Sequence, residues 1–261
     1  MDATAYDAHM AQRPSTEAYH GGSGSVGVLF VHGFTGSPAS LRGWAEATAA
    51  AGYRVALPRL PGHGTRWQEL AVTSWQDWYA CVDRELTDLA ASCDQVFVAS
   101  LSMGGALSLM LAERRPDDVA GLLLVNPAIT AMSPLVPFAG VLKHVVKSVP
   151  GIVNDAKLDI DEGGYDRTPL AAVQSMYRLW CDVRPYLDLV QCPLLIFRSA
   201  VDHVVPPTSV ETIKRQVSSA DITEHVLANS YHVATMDNDA GFIVATSLDF
   251  IAAHAQGSAA R

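Results

Sequence analysis

The chain is poor in cysteine, in positive charge and in long apolar runs, and each shortage argues against a class of function. Its four cysteines, Cys81, Cys93, Cys181 and Cys192, are scattered through 261 residues without any C-x-x-C spacing. Neither a zinc site nor a dithiol redox pair is suggested, and buried thiols are expected. Lysine and arginine number 18 against 27 aspartates and glutamates, a net charge of −9. Phosphate backbones require a basic face, so nucleic acid is not an expected partner, and electrostatic docking to anionic membranes is disfavoured. No apolar run approaches the roughly 18 residues of a spanning helix. The first residues, Met1 to His9, are polar and acidic, with neither the basic nor the apolar stretch of a secretory signal. A soluble, cytoplasmic protein is expected. Hydrophobic residues make up 49% and charged ones 17%, the balance of a globular chain long enough for one large α/β domain.

What the chain does have is most concentrated at Val96-Phe97-Val98-Ala99-Ser100-Leu101-Ser102-Met103-Gly104-Gly105. The apolar residues read as a buried strand, and Ala106 to Ala112 reads as a helix straight after it. A serine on so tight a strand-to-helix turn is forced into a strained backbone conformation that exposes its hydroxyl. Small residues on either side let the turn close. A core strand does not need this arrangement, whereas a nucleophile does.

Further strands are expected at Val26–Val31, Tyr53–Pro58, Gly121–Pro127, Pro193–Phe197 and Ile222–Leu227, alternating with helical patterns such as Ser74–Ala91 and Phe242–Ala253. Strands that are apolar throughout and alternate with helices imply a parallel, doubly wound sheet, with its ligand crevice at the C-terminal ends of the strands. The pattern divides the chain into a polar leader (1–25), a first core part (26–128), an insertion (129–185) and a second core part (186–261). In the insertion no clear strand is visible. Phe138, Val141, Leu142, Val145, Val146 and Val149 recur at helical spacing, which predicts an apolar helical stripe in a cap over the crevice.

A serine hydroxyl is a weak nucleophile at neutral pH and needs a base. His232, in Asn229-Ser230-Tyr231-His232, lies just past the last strand, where a loop reaches back to the crevice. His225 sits inside that strand, His9, His20 and His254 lie toward the termini, and His63 reads as ordering a turn. Asp202 lies just beyond the C-terminal end of another strand and is the candidate acid to orient the imidazole. Asp182 and Asp188 read as surface charges. The order Ser, Asp, His suits this architecture. Two N–H groups are required where the oxyanion forms. They are expected from Met103, at a helix N-terminus, and from Phe34 in His32-Gly33-Phe34-Thr35-Gly36.

With these segments, together with Leu57-Pro58-Arg59-Leu60-Pro61-Gly62-His63-Gly64-Thr65 and Asp202-His203-Val204-Val205-Pro206-Pro207, the sequence resembles the α/β-hydrolase carboxylesterases, and within them the bacterial monoacylglycerol lipases. The resemblance runs through most of the chain. It implies an α/β-hydrolase fold, helices on both faces of a mostly parallel sheet with an inserted cap, and a Ser102–Asp202–His232 triad. It also implies Phe34 and Met103 as oxyanion donors, a cap that accepts one acyl chain, and no cofactor or metal. An acidic cap residue binds the glycerol hydroxyls in such relatives, and Glu162 corresponds. One position departs from the family elbow G-x-S-x-G, because Ser100 replaces its first glycine. Hydrolysis of small acyl esters, monoacylglycerols first, is the leading expectation, with a small-molecule lipid ester as partner and transient lipid-surface contact as a further use. A non-lipid carboxylesterase, an acyltransferase and a catalytically weak binding module on the same fold are the alternatives. Dehalogenase or epoxide-hydrolase chemistry would need a carboxylate at Ser102.

Overall fold

The computed structural model describes residues 15–151 and 154–256. Residues 1–14 of the expected leader, His9 among them, lie outside the described residues. Nine strands are present among those described: β1 (Tyr19–Gly21), β2 (Val26–Val31), β3 (Arg54–Leu57), β4 (Gln95–Leu101), β5 (Gly121–Val125), β6 (Ser148–Pro150), β7 (Arg167–Pro169), β8 (Leu194–Ser199) and β9 (Ile222–Leu227). The α-helices are α1 (Arg42–Ala50), α2 (Trp67–Leu70), α3 (Trp75–Ala90), α4 (Met103–Arg114), α5 (Ala139–Leu142), α6 (Leu170–Val183), α7 (Thr208–Gln216) and α8 (Ala240–Gln256).

Seven strands form one sheet in the order β1-β3-β2-β4-β5-β8-β9, parallel except for the β1–β3 pair. The period of two explains why the central strands read as unbroken apolar runs. Val98, Leu122, Leu124 and Ile196 enter a core with α3, α4, α6 and α7, while Ala99, Leu123, Val125 and Phe197 enter a second core with α1 and α8. Both faces are therefore dry. Helix α3 begins where the Asp77 carboxylate accepts the backbone N–H of Ser74 at 2.8 Å, capping one of the free donors at its N-terminus.

Three expectations change. Tyr19–Gly21, read as leader, adds an antiparallel edge strand against Val55–Leu57. Residues 129–185, read as lacking strands, hold the antiparallel pair β6–β7. The helical stripe from Phe138 to Val149 does not form either: α5 covers only Ala139–Leu142, and Ser148–Pro150 is extended. The reason is chemical, since Pro150 has no N–H for a helix and Val145, Val146 and Val149 are β-branched. The spacing matched a helix, but tertiary pairing with Arg167–Pro169 decided the conformation. Phe138, Val141 and Val145 are left 59%, 73% and 85% exposed.

Candidate active site

Ser102 joins β4 to α4 at φ 56°, ψ −120°, a conformation costing about 1–3 kcal/mol for a residue with a Cβ. The fold holds it there from three sides. Its N–H donates to the Val125 carbonyl at 3.0 Å, and its own carbonyl accepts from Gly105 at 2.8 Å and Ala128 at 3.0 Å. Gly104 is dictated by the same bend, because a Cβ there would lie 2.0 Å from the Val31 carbonyl oxygen. At the position of the other family glycine, Ser100 is fully buried and its Oγ has no hydrogen-bond partner among the described residues. The bend thus tolerates serine in place of glycine, at the cost of a buried, unpaired hydroxyl. Ser100→Ala is expected to raise unfolding stability by about 1 kcal/mol in urea titration, and Ser100→Gly to keep or raise ester turnover.

Asp202 and His232 meet directly. Oδ2 of Asp202 lies 2.8 Å from Nδ1 of His232, with both side chains buried. A carboxylate at Nδ1 fixes the proton on that nitrogen, leaving Nε2 free to accept one. The second carboxylate oxygen accepts the N–H groups of Val204 and Val205, each at 2.8 Å. Burial pushes the Asp202 carboxyl up, but the His232 bond and charge and these two amides outweigh it and hold it below the ordinary carboxylate range. Ser102 and His232 line one cavity. The Asp–His half of the expected triad is a formed hydrogen bond; the Ser–His half is a shared wall, and such contacts often tighten only on substrate binding.

His32, which opens the segment expected to supply one oxyanion donor, has a definite task. It is fully buried; the Leu60 N–H donates to its Nε2 at 3.1 Å, so Nδ1 carries the proton and donates to the Gly33 carbonyl at 2.9 Å. In a trans peptide the C=O and N–H point in opposite directions. Drawing the Gly33 carbonyl toward the ring therefore turns the Phe34 N–H away from it. Phe34 lines the cavity with Ser102, and Met103 begins α4, whose dipole favours an anion there. His63 orders its turn as expected, bonding the Pro61 carbonyl at 3.1 Å, and its ring packs on those of His32, Phe34 and Trp78.

The cavity is about 550 Å³, within the ordinary range for a small-molecule site. Its apolar lining includes Leu135, Val136, Val146, Leu170, Val173 and Met176, and its polar lining includes Asp155, Glu162, His203 and His232. Glu162, the expected glycerol contact, lines this cavity and accepts the Asn154 N–H at 3.0 Å. Burial raises its pKa, opposed by that hydrogen bond and by His232. Asp155 was missed. Its carboxylate bonds His203 Nδ1 at 2.7 Å and the His232 N–H at 3.2 Å, and its carbonyl accepts from Val233 at 2.9 Å. No local pattern marks Asp155, because its partners are far along the chain.

A family model described as "Serine aminopeptidase, S33" matches residues 25–239. The chain belongs to this family of α/β-hydrolases. Within the family it is 42% identical to a thermostable monoacylglycerol lipase of Bacillus sp. (strain H-257), over 92% of this chain and 95% of that protein. It is 26% identical to a carboxylesterase of Bacillus subtilis (strain 168), over 87% and 93% of the two chains. Among solved structures it resembles a metagenome-derived lipolytic enzyme at a TM-score of 0.89 and 40% identity, covering 92% of this chain and 99% of that one. The expected α/β-hydrolase fold holds, and this member of the family is an ester hydrolase. No helix among the described residues is long and apolar enough to cross a membrane.

Proposed function

We propose that this hydrolase cleaves monoacylglycerols to fatty acid and glycerol through Ser102, His232 and Asp202. The observation that carries the chemistry is the 2.8 Å Asp202–His232 bond in the cavity that also holds Ser102, strained at φ 56°. The substrate class is supported by the 42% identity to the Bacillus sp. lipase and by a cavity whose largely apolar lining also includes the carboxylates of Asp155 and Glu162.

Ser102 Oγ attacks the ester carbonyl carbon while His232 Nε2 takes the hydroxyl proton. The Asp202 carboxylate stabilises the imidazolium. The N–H groups of Phe34 and Met103 bind the oxyanion, each such donor being worth about 3 kcal/mol. The C–O bond then breaks, His232 returns the proton to the departing glycerol oxygen, and the acyl group stays on Ser102. Water attacks that ester, giving its proton to His232, and the fatty acid leaves as Ser102 Oγ regains the proton. The acyl chain lies toward Val136 and Val173, and Glu162 accepts a hydrogen bond from glycerol. Exposed Phe138, Val141 and Val145 provide a face for transient contact with lipid aggregates. The free thiols of the four cysteines support a cytoplasmic setting.

Steady-state hydrolysis of mono-, di- and triacylglycerols of graded chain length tests the reading: monoacylglycerols are expected to be preferred. Stoichiometric binding of p-nitrophenyl butyrate without turnover would instead identify a binding module. Glu162→Gln is expected to lower kcat/KM for monoacylglycerol about tenfold or more, the range for a hydrogen bond to a charged group. It should leave p-nitrophenyl butyrate turnover unchanged, because that leaving group has no glycerol hydroxyls.

A further inference from the structure

A buried side chain outside the cavity ties together the chain segments that carry Asp202 and His232, one residue beyond the carbonyl that holds Ser102. Asn126 follows β5 directly, is only 2% exposed and has φ 43°, in the left-handed region. Asparagine enters that region more readily than most residues, but the conformation still has to be held by its surroundings. Its bonds do so. The backbone N–H donates to the Phe197 carbonyl at 2.8 Å. The Ser199 N–H donates to Oδ1 at 2.7 Å, which fixes the amide orientation, since a backbone N–H can only donate. Nδ2 then donates to the His232 carbonyl at 2.8 Å and to Ser199 Oγ at 2.9 Å. Ser199 Oγ in turn donates to the Tyr231 carbonyl at 2.7 Å.

The circuit is closed, and its geography is specific. Ser199 ends β8 and starts the loop that carries Asp202. Tyr231 and His232 are the loop that carries the base. Val125, the residue before Asn126, accepts the Ser102 N–H at 3.0 Å. The last residue of β5 therefore holds the elbow by its carbonyl, and the residue after it spaces the acid and base loops by its side chain.

We infer that Asn126, with Ser199, is the positioning residue that sets the base loop in register with the acid loop and the nucleophile. It touches no substrate. This rests on the Ser102–Asp202–His232 reading above, and it adds what holds those loops together. A misplacement of about 1 Å in such a group can cost about 10²-fold in rate. Removing the amide should therefore act on the chemical step and spare the cavity, where Asn126 contributes no wall.

The test uses the full chain with p-nitrophenyl butyrate, following kcat and KM separately, together with the rate of covalent labelling by a fluorophosphonate. Asn126→Ala, shown folded by circular dichroism, is expected to lose about 10²-fold in kcat with KM within about threefold, and labelling should slow in parallel. Ser199→Ala removes one link and leaves the Asn126–His232 bond. It should lose about fivefold to tenfold in kcat at unchanged KM, and it carries the test should Asn126→Ala fail to fold. Wild-type kcat in either folded variant, or a change confined to KM, overturns the assignment. A Ser102→Ala control separates the two ideas: if it is still turned over and labelled, the nucleophile reading fails whatever Asn126 does.

Discussion

Ser102→Ala is expected to lower kcat for ester hydrolysis by about 10⁶-fold, the scale seen when a serine nucleophile is removed from a complete triad. The strained backbone at φ 56° is maintained by bonds to Val125, Gly105 and Ala128, none of which involves the hydroxyl. Alanine therefore fits the same bend, and the variant should fold with wild-type stability within about 0.5 kcal/mol. Loss of rate without loss of fold separates a nucleophile from a structural serine. Asp202→Asn should cost less, about 10⁴-fold, because the imidazole keeps a neighbour but loses the charge that fixes its tautomer. Stopped-flow or steady-state turnover of p-nitrophenyl butyrate measures both. Retention of even a tenth of the wild-type rate by Ser102→Ala would remove the serine mechanism.

The second large effect is a stability maximum near pH 6.5 with limbs of different origin. Burial lowers the His32 pKa to about 4, although its bond to Gly33 raises it, and lowers that of His63 to about 3, with the neighbouring His32 adding to the fall. In the unfolded chain both titrate near 6.5. Between that value and about 4 the unfolded state holds more protons, so stability is lost as acid is added. Each histidine contributes a slope approaching about 1.4 kcal/mol per pH unit.

Glu113 on the elbow helix works in the opposite direction. Burial raises its pKa to about 8, with Arg114 opposing and Asp188 assisting the shift, and its Oε1 is buried without a partner among the described residues. The folded state keeps that proton while the unfolded chain releases it near 4.5, so stability falls as pH rises from about 4.5 to about 8. Two fully buried histidines, shifted to about 4 and about 3, outweigh Glu113 and leave a net acid limb below pH 6.5. Above it the histidine slopes vanish, and Glu113 sets the decline together with Glu162, whose pKa burial also raises. Urea unfolding across pH 4.5–8.5 is expected to show this peak, and Glu113→Gln should flatten the alkaline limb while leaving the acid one. An alkaline limb unchanged in Glu113→Gln would mean that the carboxyl is ionised in the fold.

Ester chemistry makes the enclosed histidines intelligible. His32 must stay neutral for its ring to accept from Leu60 while donating to Gly33. The burial that costs acid stability is the same burial that secures that tautomer beside the expected oxyanion donor Phe34. Stability at low pH and orientation of the N–H are thus two consequences of one environment.

Much of the molecule could be read from local pattern. Val26–Val31 and Gly121–Val125 are strands because unbroken apolar runs ended by turn residues have few other outcomes. The elbow was legible because Ser102-Met103-Gly104-Gly105 sits between a strand and a helix, and Gly104 is demanded by the Val31 carbonyl. Phe138–Val149 misled for the converse reason. Its helical spacing is a local property, while its real partner, Arg167–Pro169, lies about twenty residues downstream and competes for the same backbone groups.

The amino-acid order alone determined which residues are chemically able to act: a serine on a bend, and an aspartate and a histidine each placed just after a strand. Only the tertiary structure decided which of them meet. Sheet order β5-β8-β9 brings the ends of three strands side by side, so that Asn126, Ser199 and His232 fall within hydrogen-bond distance, and Asp155 of the insertion reaches the base loop. Such contacts join residues about 70 to 100 positions apart, and no periodicity carries that information. They follow from strand pairing and from the requirement that every buried polar group find a partner.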